Sequence, residues 1–164
     1  MKLIVGMLVV AFTSYCGYFL AKKYRKRKSF FIQLYEFNER FLNELSYYRR
    51  PLSAFLKKYE YKGEFLELIN VFFGQLSEKS TQNKDVYELL KEYDFLKDDE
   101  KAFTFDYFRM LGVSDSSSQK EYFLAARSSL TEYKSRGEAD SEKFGSLYVK
   151  LGFLCGLTIL IVIV

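Results

Sequence analysis

From Leu3 to Ala21 the chain carries no charge, and six of the next seven residues are basic. Nineteen residues make a helix of about 28 Å, close to the apolar thickness of a bilayer. The flank "KKYRKRK" (Lys22, Lys23, Arg25, Lys26, Arg27 and Lys28) then reads as a topology signal, because cytoplasmic ends of membrane helices carry excess Lys and Arg. A cleaved secretory signal would place its stronger charge before the apolar run and small residues after it. A lipoprotein signal would need a small residue where Tyr15 precedes Cys16. The sequence therefore predicts an uncleaved transmembrane helix over 3–21, a basic juxtamembrane segment over 22–28, and a cytoplasmic location for the domain beyond residue 28.

The other end repeats the theme. Leu151 to Val164 is uncharged but spans only about 21 Å as a helix. Extended back to Phe144, with the Lys150 ammonium reaching to the interface, it reaches about 31 Å. A second transmembrane helix is expected over 144–164. Two spans put both termini on the side away from the cytoplasm, and Lys143 and Lys150 on the domain side agree with that. Gly152 and Gly156 form a GxxxG spacing, and Gly17 with Ala21 a looser equivalent. Such spacings let membrane helices approach closely, so these four are the candidate packing residues.

Net charge confirms how local the basic cluster is. Without its six cations and Lys2, the chain retains 18 Lys and Arg against 21 Asp and Glu, about −3 over residues 29–164. Nucleic-acid binders spread basic charge over a folded face, which excludes nucleic acid as the expected partner. The cluster fits attraction to anionic membrane lipid at about 1 kcal/mol per cation.

Residues 29–143 read as a helical domain. Phe30, Leu34, Phe37, Phe41, Leu45 and Tyr48 recur at steps of three and four, and Pro51 then opens a short helix. After Gly63, Phe65, Leu68, Ile69, Phe72, Phe73 and Leu76 mark another apolar face. Asp85 is placed to cap a helix bearing Val86, Leu89, Leu90 and Tyr93, and Asp98 one bearing Phe103, Phe105, Tyr107, Phe108 and Leu111. A long pattern through Phe123, Leu124, Ala126, Leu130 and Tyr133 leads to the tail, with Gly137 and Gly145 as possible breaks. No alternating strand pattern occurs. The expected fold is all-α: a cytoplasmic antiparallel bundle of about six helices flanked by N- and C-terminal transmembrane helices.

Little in the sequence asks for chemistry. There is no His, the commonest general base and metal ligand, and only two Cys, both in apolar runs. Asp98, Asp99 and Glu100 sit where a helix start favours acids, and Ser116, Ser117 and Ser118 have no His to activate them. No phosphate-cradling or dinucleotide motif is present. The expectation is a protein without catalytic residues, cofactor or metal.

Three motifs carry a resemblance. "YRRPL" (Tyr48, Pro51, Leu52), "LGVSDSSSQ" (Leu111, Gly112, Asp115, Gln119) and "KLGFLCG" near the end resemble the stage III sporulation protein AB family of endospore-forming bacteria, over nearly the whole chain. Members are similar to the cytoplasmic domain of the type II secretion platform protein F. The resemblance implies a cell-membrane protein, in the mother-cell membrane facing the forespore, within a secretion-like complex. It implies as partners the stage III sporulation ATPase (protein AA) and other subunits, with a homo-oligomer open. Leu111, Gly112, Asp115 and Gln119 are then either a capped helix junction or a docking surface for the ATPase. The rival reading is a membrane-tethered helical regulator or scaffold unrelated to secretion.

Overall fold

A computed structural model describes residues 2–47, 55, 58–76, 85–111 and 116–163. Among them are five helices and no strand: α1 (Lys2–Tyr47), α2 (Gly63–Leu76), α3 (Val86–Glu92), α4 (Asp98–Leu111) and α5 (Ser116–Ile163). The all-α expectation holds, with fewer separate helices. The first span and the first domain helix are one helix of 46 residues, and the last domain helix and the tail are one of 48. The basic segment is therefore mid-helix, as good helix formers such as Lys and Arg allow. Gly137 and Gly145 do not break α5. The helix expected to begin at Pro51 falls largely outside the described residues.

The chain divides into two compact units. One joins residues 1–28 to residues 135–164. The other, residues 29–134, is built on aromatic packing. Phe37 on α1 is fully buried and meets Phe55, Tyr61, Phe65, Tyr107 and Phe108 with ring centroids 5.4–6.4 Å apart. Most of these contacts are edge-on, the arrangement in which ring quadrupoles attract. Phe30 meets Phe65, Tyr93 and Phe95, while Phe41 reaches Phe123 on α5 at 5.0 Å.

Polar side chains also lie inside this core, Asn38 and Thr104 both fully buried. Asn38, fully buried beside Phe37, donates from Nδ2 to the Phe123 carbonyl at 3.3 Å. It accepts the Tyr107 hydroxyl at 3.0 Å. Asn38 thus ties α1 to α4 and α5, and a buried polar group so paired costs little while fixing which faces meet.

Local signals set the helix starts. Gly63 has φ +58°, a left-handed conformation that glycine adopts without strain. Just before it, the Gln33 amide grips the Lys62 backbone, accepting its N–H at 2.7 Å and donating to its carbonyl at 3.1 Å. At α4 the expected cap moves by one residue. Asp98 is the first helical residue, and the buried Glu100 reaches back to accept the Lys97 N–H at 3.0 Å. This is half of a capping box, which places the acids in the first turn. Asp85 precedes α3 as expected, but its side chain accepts Gln75 Nε2 instead of capping the helix.

The core sets two testable outcomes. Asn38→Leu, which strands the Tyr107 hydroxyl, is expected to cost roughly 1–3 kcal/mol in denaturant unfolding of the full chain. Adding Tyr107→Phe should restore part of that loss. Burial also pushes the phenols of Tyr107 and Tyr93 up from their ordinary value, Tyr93 further through Glu67 beside it. A folded phenol that holds its proton more tightly leaves stability intact below the unfolded value of about 10, and stability is lost as pH rises beyond it. Thermal melting should therefore fall in the alkaline range, with tyrosinate absorbance from these residues appearing only as the core opens.

Candidate functional site

The unit formed by the two chain ends is an antiparallel pair of helical segments. Gly6 faces Leu160, Gly156 faces Val10 and Thr13, Gly152 faces Gly17, and Gly137 faces Lys28. These contacts cover the α1 length from Gly6 to Lys28, about 33 Å. The approach is closest where side chains are absent. A Cβ on Gly152 would lie 2.6 Å from the Thr13 carbonyl oxygen and 3.2 Å from the Gly17 Cα. One on Gly17 would collide with the Tyr148 carbonyl oxygen. Ala21, on the same face, is fully buried. Of the candidate packing residues, Gly17 and Gly152 thus touch directly, and Gly156 lies against α1 as well.

Both helices are long and apolar enough to cross a membrane. Little of either apolar stretch is buried within the chain, unlike the core helix of a soluble protein. Phe12, Tyr15, Phe19, Leu154 and Ile161 are among the exposed side chains. Such a surface points to association with a membrane.

Beyond the apolar stretch, the six cations separate by face. Lys22, Lys23 and Arg25 are exposed, Lys26 and Lys28 half-buried, and Arg27 buried. Arg27 turns inward to an ion pair with Asp140 on α5. Tyr24, on the same inward side, packs against Phe144 and Tyr148 with centroids 5.3 and 5.7 Å apart. Aromatic rings and an ion pair thus continue the contact that the glycines begin.

At the α4–α5 junction the structure describes Leu111 and Gln119 and brings them together. Gln119, buried at the first turn of α5, donates from Nε2 to the carbonyls of Met110 at 3.1 Å and Leu111 at 3.5 Å. It thereby satisfies carbonyls that the end of α4 leaves without helical partners. Gly112 and Asp115 lie outside the described residues.

A groove between α3 and α4 has no counterpart in the sequence reading. Its volume is about 460 Å³, and its walls join Tyr87, Leu90, Ala102 and Phe105 with two lysines, Lys91 and Lys101, and two acids, Asp98 and Asp106. Tyr87 is 49% exposed, packs edge-on to Phe105 at 5.5 Å, and lies under the Lys91 ammonium at 4.2 Å. Lys101 Nζ donates to the Lys91 carbonyl, linking the two helices. The available signal was Tyr87 and Lys91 one turn apart, off the apolar face of α3.

The family model for stage III sporulation protein AB matches residues 2–164. The chain belongs to the stage III sporulation protein AB family. No curated protein and no solved structure matches it. In this family member, the two apolar ends covered by the match form one packed pair, and the motif residues Leu111 and Gln119 meet at a helix corner.

The glycine contact sets a further outcome. Cys16 and Cys155 are both free and exposed, one beside Gly17 and the other beside Gly156, and serve as native labelling positions. Pulsed spin-label distances between them should be narrowly distributed in the unaltered chain. Gly152→Leu, which cannot fit against Thr13 and Gly17, should broaden and lengthen that distribution, and Gly152→Ala should do so less.

Proposed function

We propose that this chain is a non-enzymatic inner-membrane platform component of the sporulation complex between mother cell and forespore. The apolar pair would anchor it in the mother-cell membrane, with residues 29–134 on the cytoplasmic side. The partner would be the stage III sporulation ATPase, docking on that helical unit, together with other subunits of the same complex. ATP would be hydrolysed by the partner, and this chain would hold the motor against the membrane.

The observation that carries this reading is the continuity of α1 and α5, which run without a break from the apolar pair into the aromatic unit. A flexible linker would serve a tether equally well, whereas an unbroken helix suits a part that must transmit force. The membership in a sporulation family supports the setting. The α3–α4 groove supports the docking role, since the exposed Tyr87 on its wall is of the aromatic type that anchors protein interfaces.

Calorimetry of the full chain in nanodiscs against the ATPase, with and without ATP, tests the reading. Saturable binding at micromolar strength or better is expected. Tyr87→Ser with Lys91→Glu should weaken it at least tenfold while the helical content and melting of the chain stay unchanged. Absence of binding by a folded chain would leave a membrane tether and remove the platform role.

A further inference from the structure

Because α1 is one helix through residues 15–26, position along it fixes direction. Tyr15, Tyr18, Lys22, Arg25 and Lys26 recur at steps of three, four, three and one. At 3.6 residues per turn they share an arc of about 100°. Gly17, Ala21, Tyr24, Arg27 and Lys28 occupy the opposite side, and these are the residues turned towards α5. The first set points outward: Tyr15 is 66% and Tyr18 49% exposed, Lys22 and Arg25 are exposed, and Lys26 is half-buried. The Arg25 guanidinium folds back over the Tyr18 ring, 4.9 Å from its centroid.

The order of these residues along the helix matches the layers of a membrane boundary. Tyrosine rings favour the interface between acyl chains and headgroups, and the cations stand about one to three turns further out, where phosphates lie. We propose that this outward face of α1 is a docking site for the headgroup of an anionic phospholipid. Lys22, Arg25 and Lys26 contact the phosphate, and Tyr15 and Tyr18 lie along the glycerol and upper acyl chain. Charge complementarity selects the anion, and the unbroken passage from cations to exposed aromatics selects a lipid over a free phosphate. The site differs from a topology signal, which depends on the number of flanking cations and not on the face they occupy. It rests on the apolar pair lying in a bilayer.

The test uses the full chain in phosphatidylcholine vesicles carrying a trace of spin-labelled phosphatidylglycerol or, separately, spin-labelled phosphatidylcholine. Electron spin resonance reads the fraction of each lipid held at the protein surface. A preference for phosphatidylglycerol is expected, weakening as salt is raised. Lys22→Gln with Arg25→Gln should lower that preference by roughly fivefold or abolish it. Lys23→Gln with Lys28→Gln removes the same charge from other faces and should leave most of it. Equal loss in both double variants would reduce the effect to net charge and overturn the site, as would no loss in either. If the unaltered chain restricts neither lipid, the apolar pair itself is not in the bilayer, a failure distinct from a lack of lipid preference.

Discussion

Where Gly17 meets Gly152, two backbones from opposite ends of the sequence approach so closely that neither position has room for a side chain. Apolar helices in lipid gain little from hiding apolar surface, because lipid is as apolar as leucine. What holds them is the sum of close van der Waals contacts, and each such contact is weak unless many atoms are brought within range. Removing Cβ at 17 and 152 brings whole turns of backbone into range. Both long helices are then fixed in register along the unit, from Gly6 opposite Leu160 to Lys28 opposite Gly137.

The other unit is held by a different force. In water the burial of Phe37, Phe65, Tyr107 and Phe108 is favourable in itself, and large rings fill the space that small residues fill in the first unit. The fit of the rings narrows the arrangements available, and polar groups add directional specificity. Asn38 supplies it through two hydrogen bonds to different helices, and Gln119 does so at the α4–α5 corner. A single α1 helix therefore carries both kinds of packing, by small residues at one end and by aromatic residues at the other.

Much of this was legible in the residue pattern. The uncharged ends, the all-α class and the apolar faces can be read from charge and from steps of three and four, which are local properties. The continuity of α1 through 22–28 was obscured because a run of cations reads as a boundary, although its members are good helix formers. Gly137 and Gly145 read as breaks, yet Gly137 lies where the Lys28 backbone passes, with its Cα 3.4 Å from the Cβ position. Asn38 could not be recognised, since its partners lie 69 and 85 positions away along the chain. The groove was hidden for the same reason: Tyr87 is an ordinary surface tyrosine until α4 sets Phe105 against it.

The use of small residues at the helix contact has a consequence for how such a sequence can drift. Leu8, Phe12, Phe19, Leu154 and Ile161 point away from the partner helix, so for them size and shape matter less than remaining apolar. Positions 17 and 152 have the reverse tolerance, indifferent to hydrophobicity and intolerant of volume. Two relatives could thus differ at most positions of their terminal helices and still pair in the same way. Their kinship would be carried by a few glycines, which are the residues that hydrophobicity-based comparison weighs least.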